Sequence, residues 1–160
     1  MSVKLAILTV SDGVARGVRE DRSGAAIATW SREHGHEIVG QAIVPDETSQ
    51  IVSQLIRWAD DGHEKIILTT GGTGITARDV TPEATRAVID REAPGLAEAL
   101  RSAGLRQTPR ALLSRGIAGI RANALIVNLP GSTSGVTDGL AVLGPLVEHV
   151  AALLRGETEH

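Results

Sequence analysis

The 160-residue chain has no Cys, Tyr or Phe, and Trp30 and Trp58 are its only large aromatic side chains. Without Cys there is no disulfide framework, zinc ribbon, thiolate-held iron–sulfur cluster or thiol nucleophile. With so few aromatic rings there is no stacking platform for a nucleic-acid single strand. A formal charge of −3, from 16 Lys+Arg against 19 Asp+Glu, lacks the basic footprint of a general nucleic-acid binder. No apolar run approaches the roughly 20 residues of a membrane span, and the first residues lack a signal peptide's long apolar region. These absences predict a cytoplasmic protein that binds neither nucleic acid nor membrane.

What is present is ordinary for a globular domain. The chain is 42% hydrophobic and 22% charged, well away from the composition of disordered chains. One domain over residues 1–156 is expected, with 157–160 a frayed tail.

The run at 3–10 (VKLAILTV) is nearly continuous in apolar residues, as in a strand buried on both faces. Ser23 is positioned to cap a helix that runs to about His34 and stops at Gly35. Residues 37–44 alternate toward a second strand. Ile51, Val52, Leu55, Ile56 and Ala59 then recur at helical spacing. KIILT at 65–69 is a third strand, and Thr81-Pro82-Glu83 opens a helix with Thr81 as its cap. After Pro94-Gly95 comes another helix to about Ala103, a short strand at 111–113, a clearer one at 124–128, and a last helix from Pro130 toward Arg155. Strands alternating with helices predict a three-layer α/β/α domain with a mainly parallel central sheet. Ligands of such sheets bind beyond the carboxyl ends of the strands.

Three loops fall at such ends. Thr70-Gly71-Gly72-Thr73-Gly74 follows the third strand, and three glycines in four residues let backbone N–H groups approach an anion closely. A tight strand-to-helix turn explains GGTG equally well, but a turn does not require the Arg78-Asp79 pair beyond it. Asp79 is a hard carboxylate suited to Mg²⁺, and Asp46, after the second strand, falls on the same edge if both strands run parallel. Asn128-Leu129-Pro130-Gly131-Ser132 is a second strand–glycine–helix turn that could cradle a phosphate, but taken alone it reads first as a well-capped helix start. Ser11 and Asp12, with Asp21 and Ser23, follow the first strand, and Asp12 and Ser23 need be no more than caps. Ser114 and Arg115 are placed to reach the same edge. Between residues 99 and 137 there is no Asp or Glu, yet Arg101, Arg106, Arg110, Arg115 and Arg121 all fall there. Such a segment suits an anion, although a solvated arginine face accounts for most of it. The five His residues show no metal-ligand spacing, and no Ser/His/Asp triad is readable.

The segment TTGGTGITARDVTPEAT (69–85) closely resembles the signature of the molybdenum-cofactor biosynthesis family that includes MogA, MoaB and the G domain of gephyrin. LTVSDGVARGVREDRSG, IVPDE, DREAPGL, LLSRGIAGIR and LIVNLPGS resemble the family's other blocks, in order, across nearly the whole chain. The resemblance implies molybdopterin adenylyltransferase activity: AMP passes from Mg-ATP to the terminal phosphate of molybdopterin, and pyrophosphate leaves. It places the family's two functional aspartates, catalytic and metal-holding, on Asp46 and Asp79. It places the nucleotide loop on Thr70, Gly71, Gly72, Thr73 and Gly74. Molybdopterin contacts fall on Ser11, Asp12, Ser114, Arg115, Pro130, Gly131 and Ser132. Mg²⁺ is the implied cofactor, with ATP and molybdopterin as substrates. A homotrimer, or a hexamer built from two trimers, and a downstream molybdenum-insertion protein are the implied partners. PGSTSGV resembles the MoaB branch, so a pterin-binding scaffold without turnover is the second expectation. ARDVTPEAT keeps the pair that fits the adenylylating branch.

Overall fold

The computed structural model describes residues 2–158; of the expected tail, 159–160 lie outside the described residues. Six strands form one sheet in the order β2-β1-β3-β6-β5-β4. They are β1 (Lys4–Val10), β2 (Glu37–Val44), β3 (Lys65–Thr70), β4 (Arg91–Glu92), β5 (Ala118–Arg121) and β6 (Ala124–Leu129). β2, β1, β3 and β6 are parallel, whereas β5 runs antiparallel to both β6 and β4. The predicted three-layer, mainly parallel architecture is what is found.

Strand alternation assigns the two faces. Leu5, Ile7, Ile66, Leu68, Val127 and Leu129 point into one core cluster, and Ala6, Leu8, Val10, Ile67 and Ile126 into the other. Helix α2 (Arg22–Glu33) covers the first face together with α6 (Thr133–Leu143) and α7 (Val147–Leu154). Helices α3 (Thr48–Ala59) and α4 (Thr81–Val88) cover the second through Ile51, Leu55, Ala84 and Val88. The sites of α2 and α3 decide the topology: the chain leaves β1 over one face to reach β2, then returns over the other face to place β3 on β1's far side. The strand order therefore reverses between β1 and β3, and a crevice opens at their carboxyl ends.

Several local expectations are corrected. Asp21, not Ser23, caps α2, accepting from the Gly24 N–H at 3.0 Å. Val80 occupies the cap position of α4; the Thr81 hydroxyl is spent on the Gly71 carbonyl instead. Residues 111–113 form no strand but part of a 3₁₀ turn (Pro109–Leu113), because Thr108 and Pro109 start a helical turn there. A short helix α1 (Asp12–Ala15) and helix α5 (Pro94–Leu105) complete the set. The last helix breaks at Gly144–Leu146, where Pro145 cannot continue the backbone ladder. By length and composition Thr133–Leu154 is apolar enough to cross a bilayer. In this fold its Val136, Leu140, Leu143, Val147 and Ala151 fill the first core cluster.

The opposite end of the sheet carries a buried cation. Lys65, 2% exposed, donates to the backbone oxygens of Trp58 (2.7 Å) and His63 (2.8 Å) and to the Asp61 carboxylate. Replacing its ammonium leaves two carbonyls unsatisfied. Lys65→Met is expected to lower the free energy of unfolding by about 1–3 kcal/mol in denaturant titration. Because the change lies at the end of the sheet remote from the crevice, activity per folded molecule should be unaltered.

Candidate functional site

Four strand-end segments meet at the crevice. Gly71 and Gly72 adopt left-handed backbone angles (φ 95° and 67°), and a Cβ on Gly71 would collide with the Val10 carbonyl. The β3 loop can therefore lie flat against β1 only with glycine at these positions. The Thr70 hydroxyl donates to the Pro130 carbonyl at 2.7 Å, tying that loop to the one after β6. The Thr81 N–H and hydroxyl donate to the Gly72 and Gly71 carbonyls, pinning the loop's base to α4. Below, buried Asn128 donates to Thr69 and Thr85 and accepts from the Ile117 N–H, locking the strand ends together.

Two clefts open on this platform. One, of about 580 Å³, is lined by Thr9, Ser11, Arg19, Asp21, Asp46, Thr70 and Gly71. The other, of about 680 Å³, is lined by Thr73, Gly74, Arg101, Arg110, Ser114, Asn128 and Pro130. Gly72, Asp79, Gly131 and Ser132 border both. Ser11 thus lies beside Asp46 and away from Ser114. Asp12 and Arg115 line neither cleft.

Those two residues hold the loops. Asp12 and Asp46 exchange hydrogen bonds: the Asp12 N–H donates to Asp46 Oδ2 at 2.9 Å, and the Asp46 N–H to Asp12 Oδ1 at 3.0 Å. Arg115 follows the 3₁₀ turn, and its N–H donates to the Thr73 carbonyl at 2.8 Å. Its guanidinium donates to the Gly74 and Asp79 carbonyls, both at 2.7 Å, and pairs with Glu83. Arg115 therefore braces the Asp79 loop from the second cleft's side. The Asp79 carboxylate accepts from both the N–H (3.0 Å) and the hydroxyl (2.8 Å) of Thr76.

The acid-free arginine segment reads from its sequence as either an anion site or a solvated face. Arg101 donates to the Ser114 and Gly116 carbonyls and Arg121 pairs with Asp60, so both act as braces. Arg110 alone of the remainder lines a cleft as a cation. Sequence reading passed over Arg19 and Glu47; Glu47's place directly after Asp46 was the available signal.

With this geometry in view, the comparisons are specific. Residues 6–149 match the family described as "Probable molybdopterin binding domain". The chain belongs to that family. It is 37% identical to the molybdopterin adenylyltransferase of Helicobacter pylori, over 97% of this chain and 89% of that protein. The crystal structure of the molybdopterin biosynthesis enzyme MoaB from Thermus thermophilus shares the fold with a TM-score of 0.89 and 47% identity, over 96% of this chain and 97% of that one. Gephyrin from Dictyostelium discoideum is 37% identical over 94% of this chain, which spans only 22% of gephyrin's length.

The family's chemistry raises the question of a divalent ion. Among the described residues no group of three or more His, Asp or Glu side chains is arranged to hold a metal ion. Asp46 and Asp79 border one cleft as a pair, which suits Mg²⁺, an ion that takes one or two carboxylates and fills its shell with phosphate oxygens and water. The donor set fits.

Burial raises the Asp46 pKa above its ordinary value of 3.8; the Asp12 N–H bond opposes this, and the charges of Asp12 and Asp79 add to it. Asp12 shifts the other way, held low chiefly by its bonds to Arg78. A carboxyl with a raised folded-state pKa favours the folded state more as it becomes protonated, so ionised Asp46 opposes folding at neutral pH. Asp46→Asn keeps an oxygen for the Asp12 N–H. It should melt a few degrees above wild type at pH 7, and the gap should close as pH falls through the raised Asp46 pKa, read by thermal melts across pH.

Proposed function

We propose that the chain is a molybdopterin adenylyltransferase, transferring AMP from Mg-ATP to the terminal phosphate of molybdopterin. The observation that carries this reading is the pair of clefts meeting at a shared wall of Gly72, Asp79, Gly131 and Ser132, with Asp46 facing the first. Two large substrates held in adjacent clefts can bring one phosphate to the other without a covalent enzyme intermediate. A pterin-phosphate oxygen attacks the α-phosphorus of ATP; the bond to the β-phosphate's bridging oxygen breaks, and pyrophosphate carries away the electron pair. The chain needs neither Cys nor His for this, since such transfer depends mainly on positioning and electrostatics.

In this reading the segment Thr70, Gly71, Gly72, Thr73 and Gly74 holds the nucleotide phosphates at the wall between the clefts, Thr70 and Gly71 shaping the first cleft while bonded to the Pro130 and Leu129 carbonyls, and Thr73 and Gly74 reaching from the second. Ser114, Pro130, Gly131 and Ser132 receive the pterin and its phosphate. Ser11 faces the nucleotide side of the wall, while Asp12 and Arg115 contribute by holding loops. Asp46 and Asp79 would hold Mg²⁺, which would neutralise charge on the phosphate oxygens when bound. A homotrimer or a hexamer, a cytoplasmic location, a downstream molybdenum-insertion protein and a single domain over 1–156 belong to the same proposal.

A second reading, a pterin-binding scaffold without turnover, is favoured by the Pro130-Gly131-Ser132-Thr133 loop of MoaB type. One assay separates the two: purified protein with molybdopterin, Mg-ATP and a pyrophosphate detector. Wild type should release pyrophosphate and chelation should stop it. Asp79→Asn should lose turnover by about 10²-fold or more while binding molybdopterin normally in calorimetry. Pterin binding by wild type with no adenylylated product would favour the scaffold, and undiminished pyrophosphate release by Asp79→Asn would remove that residue's role.

A further inference from the structure

Arg78 is the residue that neither the cleft linings nor the proposed reaction uses. Its Nε donates to Asp12 Oδ2 at 3.0 Å and its Nη2 to Asp12 Oδ1 at 2.9 Å, a two-pronged grip that only a planar guanidinium provides. The same Nη2 reaches Glu47 Oε1 at 2.9 Å. One side chain from the β3 loop thus spans the loops after β1 and β2, bonding partners 66 and 31 residues away.

The position of this grip matters more than its strength. Arg78 is 55% exposed, and exposed ion pairs add little to global stability. It precedes Asp79 directly, and its main partner, Asp12, is the residue that exchanges hydrogen bonds with Asp46. A continuous chain of contacts therefore runs from Asp79 through Arg78 and Asp12 to Asp46. Arg115 braces residues 71–80 through the carbonyls of Thr73, Gly74 and Asp79, the first two of which line the second cleft alone. Arg78 ties the same loop to Asp12, which is bonded in turn to Asp46 on the first cleft. It also sets one cation between the carboxylates of Asp12 and Glu47, close enough for its charge to act on Asp46.

We infer that Arg78 is a positioning residue for the transfer: it latches the Asp79 loop to the Asp12–Asp46 pair and so holds both aspartates at the same cleft. The inference rests on the adenylyltransferase reading for its catalytic consequence, but the latch itself is measurable without activity. Arg78→Gln removes charge and fork; Arg78→Lys keeps the charge and loses the fork. In the full chain, Arg78→Gln should speed amide hydrogen exchange at Asp12 and Asp46 by about tenfold or more, with β3 amides unchanged. Its kcat should fall by about 10- to 100-fold while the KM for molybdopterin stays within about twofold, because Arg78 touches no part of the second cleft. Arg78→Lys should recover part of kcat. Unchanged exchange at both amides overturns the latch. So does a kcat within about twofold of wild type, or a loss expressed only in the molybdopterin KM. Absence of turnover in wild type would overturn the adenylyltransferase reading instead, and the exchange measurement would still decide the latch.

Discussion

The reversal of strand order between β1 and β3 is the constraint on which the rest of this structure depends. Because α2 crosses one face of the sheet and α3 the other, neither crossover helix covers the carboxyl ends of β1 and β3. The loops that leave those ends must splay over the gap, and the loop after β6 closes it from the far side. The alternating apolar residues of β1 and β3 make the reversal stable, since each face needs its own helical cover. A sheet with only one apolar face would not have supported helices on both sides, and the crevice would not exist.

Placing loops over a gap leaves them without regular backbone pairing, so their side chains and glycines supply it. Gly71 and Gly72 allow the close approach to β1; Thr70 and Thr81 tie the loop's base; Arg115 and Arg78 brace its tip from opposite sides. The result is a preorganised site whose components oppose one another electrostatically. Asp46 sits partly desolvated near two further carboxylates, a condition that disfavours its charge, while the neighbouring Asp12 is eased by Arg78. Sites of this kind commonly trade local stability for a charge held where a ligand will need it.

Much of this was legible in the chain. The strands of the parallel core are short unbroken apolar runs, and the glycine and acidic loops stand directly after them, so both the layer architecture and the edge where the two clefts open could be read. The misreadings share one cause. Ser23, Thr81 and residues 111–113 were interpreted from local preference, and in each case a tertiary demand prevailed. Asp21 caps α2 and leaves Ser23 at the cleft wall; the Thr81 hydroxyl goes to the Gly71 carbonyl; Thr108 and Pro109 turn the chain into a 3₁₀ segment. The antiparallel pair β4 and β5 carries no periodic signal in the sequence, because strands of two and four residues are too short for one.

The amino-acid sequence by itself determined the family, the layer order, the loops that line the crevice and the chemistry open to a chain without Cys. Residue types and their spacing encode these, because burial periodicity and glycine freedom are local properties. Only the tertiary structure decided how the functional residues divide. It separated Ser11 from Ser114 into different clefts and turned Arg101, Arg115 and Arg121 from free cations into braces. It also joined Asp12 to Asp46 through bonds between residues 34 apart. Which donor meets which acceptor across distant loops depends on the strand order that brings those loops together, and no local pattern contains it.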